Sequence, residues 1–211
     1  FRKVKQFPKA VAVGFASQFI LLPLFTFLMV VVLKLDLYIG MGMLLVASCP
    51  GGNMSNYITF LSKGNIVLSI TLTTVATVVS LFFTPFNFTF YSQLALSKQY
   101  NGVSFSLSAW QIMQSIATLI IIPLLLGLLF KEYFPRAAQR LERPLKMLSL
   151  LVFFGFIVIA LINNFGVMKQ QSLKFFILIV MHNGMAFIIG YAFSKLCRLN
   201  DTDSRNISIE T

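Results

Sequence analysis

Apolar residues run in long blocks along this chain, and polar positions collect between the blocks rather than alternating with them. Six runs stand out, at residues 8–33, 37–62, 66–86, 109–130, 147–165 and 173–194. Roughly 20 apolar residues cross the ~30 Å hydrocarbon core as a helix, so each run is long enough to span. The expected fold is an all-α polytopic membrane protein with six full spans. Residues 63–65 form a short polar turn, 87–107 a longer polar and aromatic connection, and 131–146 a basic loop. Asn206 to Thr211 begin a further segment.

The second run carries a break, Cys49-Pro50-Gly51-Gly52-Asn53-Met54-Ser55-Asn56. Proline lacks an N–H and clashes with the preceding turn, and two glycines weaken helix further. Freed backbone groups in hydrocarbon need protein around them or a wet cavity. Broken helices of this kind bind ions in transporters, whereas a lone proline is as readily a simple kink. Pro123 in the fourth run reads as such a kink, and Trp110 at its start as an interface anchor.

Composition agrees with the runs: 57% of residues are hydrophobic and 11% charged, against about 25% charged in soluble domains. The net charge of +11 would suggest nucleic acid in a soluble protein, but no nucleic-acid motif accompanies it. Threading six spans puts Lys34, Lys98, Lys169 and Lys174 on one side and the other 13 of the 17 basic residues on the side of residue 1. That side, which includes Arg2, Lys3 and Lys5, is therefore expected to be cytoplasmic. Cys49 and Cys197 are far apart and imply neither a disulfide framework nor a metal site. Asn87-Phe88-Thr89 fits a glycosylation triplet of the sort that arises by chance. Starting at Phe1 without a signal peptide and stopping at Thr211 without a closing apolar helix, the chain reads as the interior of a longer protein.

Counting inward at 1.5 Å per residue places Asn56 at ~10 Å depth, Ser69 at ~8 Å, Gln18 at ~15 Å and Glu210 at ~8 Å, with Thr73 one turn beyond Ser69. Residues from four segments thus share one layer. Ser69, Thr73 and Thr77 stand at i, i+4 and i+8 and line one helix face. Such a stripe usually packs helices and bonds back to its own carbonyls. Opposite a break bearing Ser55 and Asn56 it becomes a candidate ligand wall. Hydroxyl, amide and carboxylate oxygens are hard ligands, suited to Na⁺ rather than to transition metals. Glu210 has a second reading, as a solvated carboxylate favourable at a helix start. His182, the one histidine, reads as a hydrogen-bonded packing residue before a proton relay. No nucleophile–base pair, carboxylate pair or phosphate loop points to an enzyme.

Residues 49–56, Lys63-Gly64-Asn65-Ile66-Val67-Leu68-Ser69-Ile70-Thr71-Leu72-Thr73, Thr84-Pro85, Gln18-Phe19-Ile20-Leu21-Leu22-Pro23 and Arg205 to Thr211 together resemble the bile acid:sodium symporter family. The resemblance implies ten helices in two inverted five-helix repeats, with the fourth and ninth broken and crossing. This chain would supply helices three to eight and the start of the ninth. Residues 8–86 and 173–211 would belong to a core domain and 109–165 to a panel domain, with alternating access from core moving against panel. The resemblance places a first sodium site on Ser55, Asn56, Ser69, Thr73 and Glu210. It places a second on Gln18, Glu210 and backbone from Thr211 onward, so a chain truly truncated there would lose half of that site. Asn206 stands where the family usually has Thr.

The expected function is a sodium-coupled symporter of an organic anion, a bile acid or a smaller organic acid, in the plasma or inner membrane. Na⁺ would be the coupling ion, with no organic cofactor, and the lipid bilayer the surrounding partner. A proton-coupled or uncoupled transporter using Glu210 and His182 is the alternative within transport. A non-transporting membrane receptor or structural protein is the alternative outside it.

Overall fold

The computed structural model describes residues 7–99 and 109–211, and every regular element among them is helical. Helix α1 runs Pro8–Val32, α2 Leu37–Ser48, α3 Asn53–Leu61, α4 Ile66–Gln99, α5 Ala109–Tyr133, α6 Pro135–Leu196 and α7 Asp201–Glu210. Arg2, Lys3 and Lys5 lie outside the described residues. Four stretches among those described are long and apolar enough to cross a membrane: Pro8–Val32, Ile66–Ala95, Pro135–Asn163 and Leu173–Leu196. Leu37–Ser48 is a shorter apolar helix.

Several expected boundaries move. Helix α4 continues through Pro85 to Gln99, so residues 87–99 are helical rather than an open connection; 100–107 lie among those not described. The basic stretch at 131–146 is mostly helix, because Pro135 opens α6 at a position where its missing N–H costs nothing. Residues 166–172, expected to separate two spans, also belong to α6. They contain no proline, and Met, Lys and Gln favour helix. Asn87 is buried and engaged, which removes it as a glycosylation acceptor.

The chain divides into two compact units, one holding the residues up to Thr118 with His182–Thr211, the other Leu119–Met181. In the first, α1 packs on α2 and α4, and α3 packs on α4 and α7. Two small apolar clusters hold it, one of Ala10, Val11, Val13, Leu68, Leu72 and Ile207, the other of Phe27, Val30, Leu44 and Ala95. In the second unit the apolar side chains of α6 point outward, from Met147 through Phe165. Hydrocarbon as the surrounding solvent accounts for an apolar exterior, which in water would be a liability.

Helix α1 contains a π-helical turn, Ser17–Leu21, closed by Leu22 N–H donating to Ser17 O. Pro23 follows and has no N–H to give to Phe19 O, four residues back. That carbonyl instead accepts from Asn87 Nδ2 of α4 at 2.7 Å. Pro23 thus explains both the local change of helix and a buried cross-link, and Gln18 sits inside the altered turn. π-turns inside α-helices are frequent at functional sites.

Candidate functional site

The expected break is present. Helix α2 stops at Ser48, residues 49–52 are extended or irregular, and α3 restarts at Asn53. The freed Ser48 carbonyl accepts from Thr84 Oγ1 of α4 at 2.7 Å. Gly52 occupies the N-cap of α3 without a side-chain cap, and Ser55 Oγ donates to Gly52 O at 2.6 Å. Helix α7 begins where Asn200 Oδ1 accepts from Asp203 N–H at 2.7 Å, with Asp201 and Asp203 in its first turn favoured by the helix dipole. Capping therefore rests on Asn200, and Asn206 has another environment.

Glu210 lies in the third turn of α7, 4% exposed, and is not a solvated carboxylate at the helix start. Ser69 Oγ lies 2.6 Å from its Oε1 and 2.7 Å from Asn56 Oδ1. Thr73 Oγ1 lies 3.1 Å from Glu210 Oε1, 3.3 Å from Oε2 and 3.3 Å from Asn56 Oδ1, and 3.0 Å from Ser69 O in its own helix. Ser55 lies near the same carboxylate, with its hydroxyl donated to Gly52 O. Four of the five residues of the first expected site thus touch directly, and the fifth adjoins them. Thr77, the third member of the stripe, does not join; its hydroxyl donates back to Thr73 O at 2.7 Å.

The residues of the second expected site approach through Gly51. A Cβ there would stand 3.0 Å from Glu210 O, 3.2 Å from Glu210 Oε2 and 3.3 Å from Gln18 Nε2. A side chain there would force Glu210 or Gln18 to give way by a few tenths of an ångström, so glycine suits this close passage of the extended segment. Thr211 Oγ1 turns to Ser17 Oγ at 2.9 Å and Ile207 O at 2.8 Å rather than to Gln18. His182 is buried, with Nε2 2.9 Å from Thr26 Oγ1, itself bonded to Leu22 O at 2.8 Å. Thr26 spends its proton on Leu22, so the contact requires Nε2–H to donate.

The cluster has more acceptors than protons. Two hydroxyl protons, from Ser69 and Thr73, face two carboxylate oxygens, an amide oxygen and a backbone carbonyl. The one salt bridge found among the described residues is Lys195–Asp201, which ties the end of α6 to the first turn of α7 and is exposed. A buried carboxylate without a cation is expensive, by several kcal/mol per ion in proteins. A small hard cation would supply the missing charge and suit the donor set. No group of three His, Cys, Asp or Glu side chains that could hold a transition metal occurs among the described residues.

Sequence reasoning missed the contacts made by Thr59, Asn206, Asn87 and Thr84. For Asn87 the signal was Pro23, whose missing N–H announces an unpaired carbonyl at Phe19. For Thr59 and Asn206 no local signal exists, since their partners meet only when α3 and α7 pack.

Fold and site together define a polytopic helical membrane protein with a buried oxygen-lined site beside a helix break. The sequence model of the sodium bile acid symporter family matches residues 1–171. The chain belongs to that family. It is 30% identical over 210 residues to a protein of Oryza sativa subsp. japonica named as the probable chloroplastic sodium/metabolite cotransporter BASS2, an alignment covering all of this chain and 48% of that relative. It is 28% identical over 210 residues to the uncharacterized sodium-dependent transporter YocS of Bacillus subtilis, covering all of this chain and 63% of the relative. A probable chloroplastic sodium/metabolite cotransporter of Arabidopsis thaliana, BASS1, is 27% identical over 206 residues, covering 96% of this chain and 48% of its own length. The chain thus spans about half to under two-thirds of these relatives. Helix α7 lies beyond the family match but within the full-length alignments. The relatives are named as transporters, not enzymes.

Proposed function

We propose that this chain is part of a sodium-coupled symporter for a small organic anion, with Na⁺ as co-substrate at the Glu210 cluster. The observation that carries the reading is the buried Glu210 carboxylate, ringed by Asn56, Ser69 and Thr73 and paired with no cationic side chain among the described residues. Ser55, Asn56, Ser69, Thr73 and Glu210 would form one ion site. Gln18, Glu210 and backbone near Thr211 would form the second. Na⁺ binding neutralises Glu210, and its differential affinity for two states couples it to substrate. The first N–H groups of α3, lacking a side-chain cap, suit a substrate carboxylate or sulfonate. Relatives named as sodium/metabolite cotransporters favour a small metabolite over a bile acid as that anion.

The six-span threading and the inverted repeat belong to the same proposal, and the threading requires the chain to reverse at 166–172, where α6 runs as one helix. Supporting the repeat, α1 ends in Lys34-Leu35 before α2 and α6 ends in Arg198-Leu199 before α7. Lys34 and Arg198 both take positive φ, 49° and 57°. Leu35 N–H and Leu199 N–H reach back to Val30 O and Ser194 O at 3.2 and 3.1 Å. Helices α2 and α7 are thus entered through the same left-handed cap, which also closes α3 at Lys63. The division into core (8–86 and 173–211) and panel (109–165) is favoured by the separate compactness of Leu119–Met181. The side of residue 1 is taken as cytoplasmic on the charge count.

The test uses the purified full-length protein and follows thermal unfolding against NaCl, with KCl at equal ionic strength. A Na⁺-specific rise in Tm, lost in Glu210→Gln and in the double variant Ser69→Ala/Thr73→Ala, is expected. Sodium-dependent uptake that survives Glu210→Gln and Asn56→Ala unchanged would overturn the reading. Uptake driven by a proton gradient alone would favour the proton-coupled alternative.

A further inference from the structure

Asn206 is fully buried on α7, and half of its amide is unaccounted for. Its Oδ1 accepts from Thr59 Oγ1 of α3 at 3.0 Å, and Thr59 is also 0% exposed. Its Nδ2 has no partner. Rotating the amide places Nδ2 on Thr59 and strands the carbonyl instead, so either orientation leaves one buried end unpaired. Leucine, with the same branching and the same number of side-chain heavy atoms, would occupy this site without that penalty. The amide therefore contributes orientation rather than net stability to the empty fold.

What it orients follows from the register. Asn206 and Glu210 are four apart on α7, and Asn56 and Thr59 three apart on α3, so each pair shares a helix face. Ser69 of α4 stands between the helices, 3.4 Å from Thr59 Oγ1, 2.7 Å from Asn56 Oδ1 and 2.6 Å from Glu210 Oε1. Two polar rungs thus join α3 to α7, one through Thr59 and Asn206 and one through Asn56, Ser69 and Glu210. Sliding or turning α7 against α3 breaks both together.

We propose that Asn206 is a positioning residue: it latches α7 to α3 through Thr59 and so fixes Glu210 in register with Ser69 and Asn56. The proposal rests on reading the Glu210 cluster as a sodium site. Asn206 itself need not touch the ion.

The test is a NaCl titration of the thermal unfolding of the full-length protein and of Asn206→Leu, Thr59→Val and the double variant. Each single change is expected to raise the Na⁺ midpoint about fivefold, the loss expected for one buried hydrogen bond. The double variant should be no worse than the more affected single. Without Na⁺, the Tm of Asn206→Leu should equal or exceed that of the wild type. A lowered Tm with an unchanged Na⁺ midpoint would assign Asn206 to packing and overturn the latch. Should Asn206→Leu fail to fold, Thr59→Ser against Thr59→Val carries the test. Serine keeps the hydroxyl and should keep the midpoint, valine should raise it, and equal midpoints overturn the proposal. A wild type indifferent to Na⁺ overturns the sodium reading and the latch with it, whereas a responsive wild type with unaltered variants overturns the latch alone.

Discussion

Helix α4 carries hydroxyls of two kinds. Ser69 and Thr73 reach other chain segments, meeting Asn56 from α3 and Glu210 from α7. Thr71, Thr74 and Thr77 donate to carbonyls one turn back in their own helix, at 2.7, 2.6 and 2.7 Å. Residue type and helix are the same in both groups, so neither decides the role. What differs is the surface opposite. Ser69 and Thr73 face α3, which restarts after the break, and α7, which brings the buried Glu210 carboxylate. The others face apolar packing or the exterior, where back-bonding to a carbonyl is the available way to satisfy a hydroxyl. A Ser/Thr stripe becomes a site only where a second element arrives with acceptors to spare.

The largest expected effect tests the break that brings those acceptors in. Gly51 and Gly52 are neighbours of identical type, yet they should respond differently. A Cβ on Gly51 meets Glu210 and Gln18 within 3.3 Å, while one on Gly52 meets nothing within 4 Å. Gly51→Ala must push Glu210 or Gln18 aside and should raise the Na⁺ midpoint by about tenfold or more, equivalent to about 1.4 kcal/mol. Gly52→Ala should leave it within about twofold, since the Gly52 carbonyl that holds Ser55 is retained. Equal responses in a NaCl titration of Tm would mean that Gly51 is not at the ion site.

An intermediate effect is expected at Thr26 and His182, a buried polar contact without a carboxylate. Thr26→Val leaves the His182 Nε2–H buried without its acceptor and should lower stability by about 1–3 kcal/mol. His182→Leu leaves Thr26 still bonded to Leu22 O and should cost less. Neither change should move the Na⁺ midpoint. A shift in that midpoint, or loss of a pH dependence of uptake in His182→Leu, would move His182 from packing into the coupling machinery.

Much of the cluster was legible because its members sit at helical spacing and calculable depth. Ser69 and Thr73 share a face, and Asn56 and Glu210 fall in the same layer. The break at Pro50 was legible from backbone chemistry alone. Helix ends were read less well. Pro85 looked like a terminus, but α4 passes through it, because tertiary packing outweighs a single missing N–H. Residues 166–172 looked like a connection for their polarity, yet Gly166 alone does not stop a helix. The contact of Thr59 with Asn206 was illegible for another reason: it spans 147 residues and depends on how α3 and α7 meet. Thr77 shows the converse error, since spacing put it on the right face but not within reach.

That error supplies the smallest expected effect and the sharpest control. Thr77 is one turn beyond Thr73 and spends its proton on the Thr73 carbonyl. Thr77→Val removes a back-bond that helices form at little net gain, so stability should change by no more than about 0.5 kcal/mol. Thr73→Val removes the same kind of back-bond, but also an oxygen within 3.1 Å of Glu210. If the two hydroxyls differ only in what lies opposite, Thr73→Val should raise the Na⁺ midpoint severalfold while Thr77→Val leaves it in place. Matching shifts would show that helix α4 tunes the site through its backbone, not through the side chains that face Glu210.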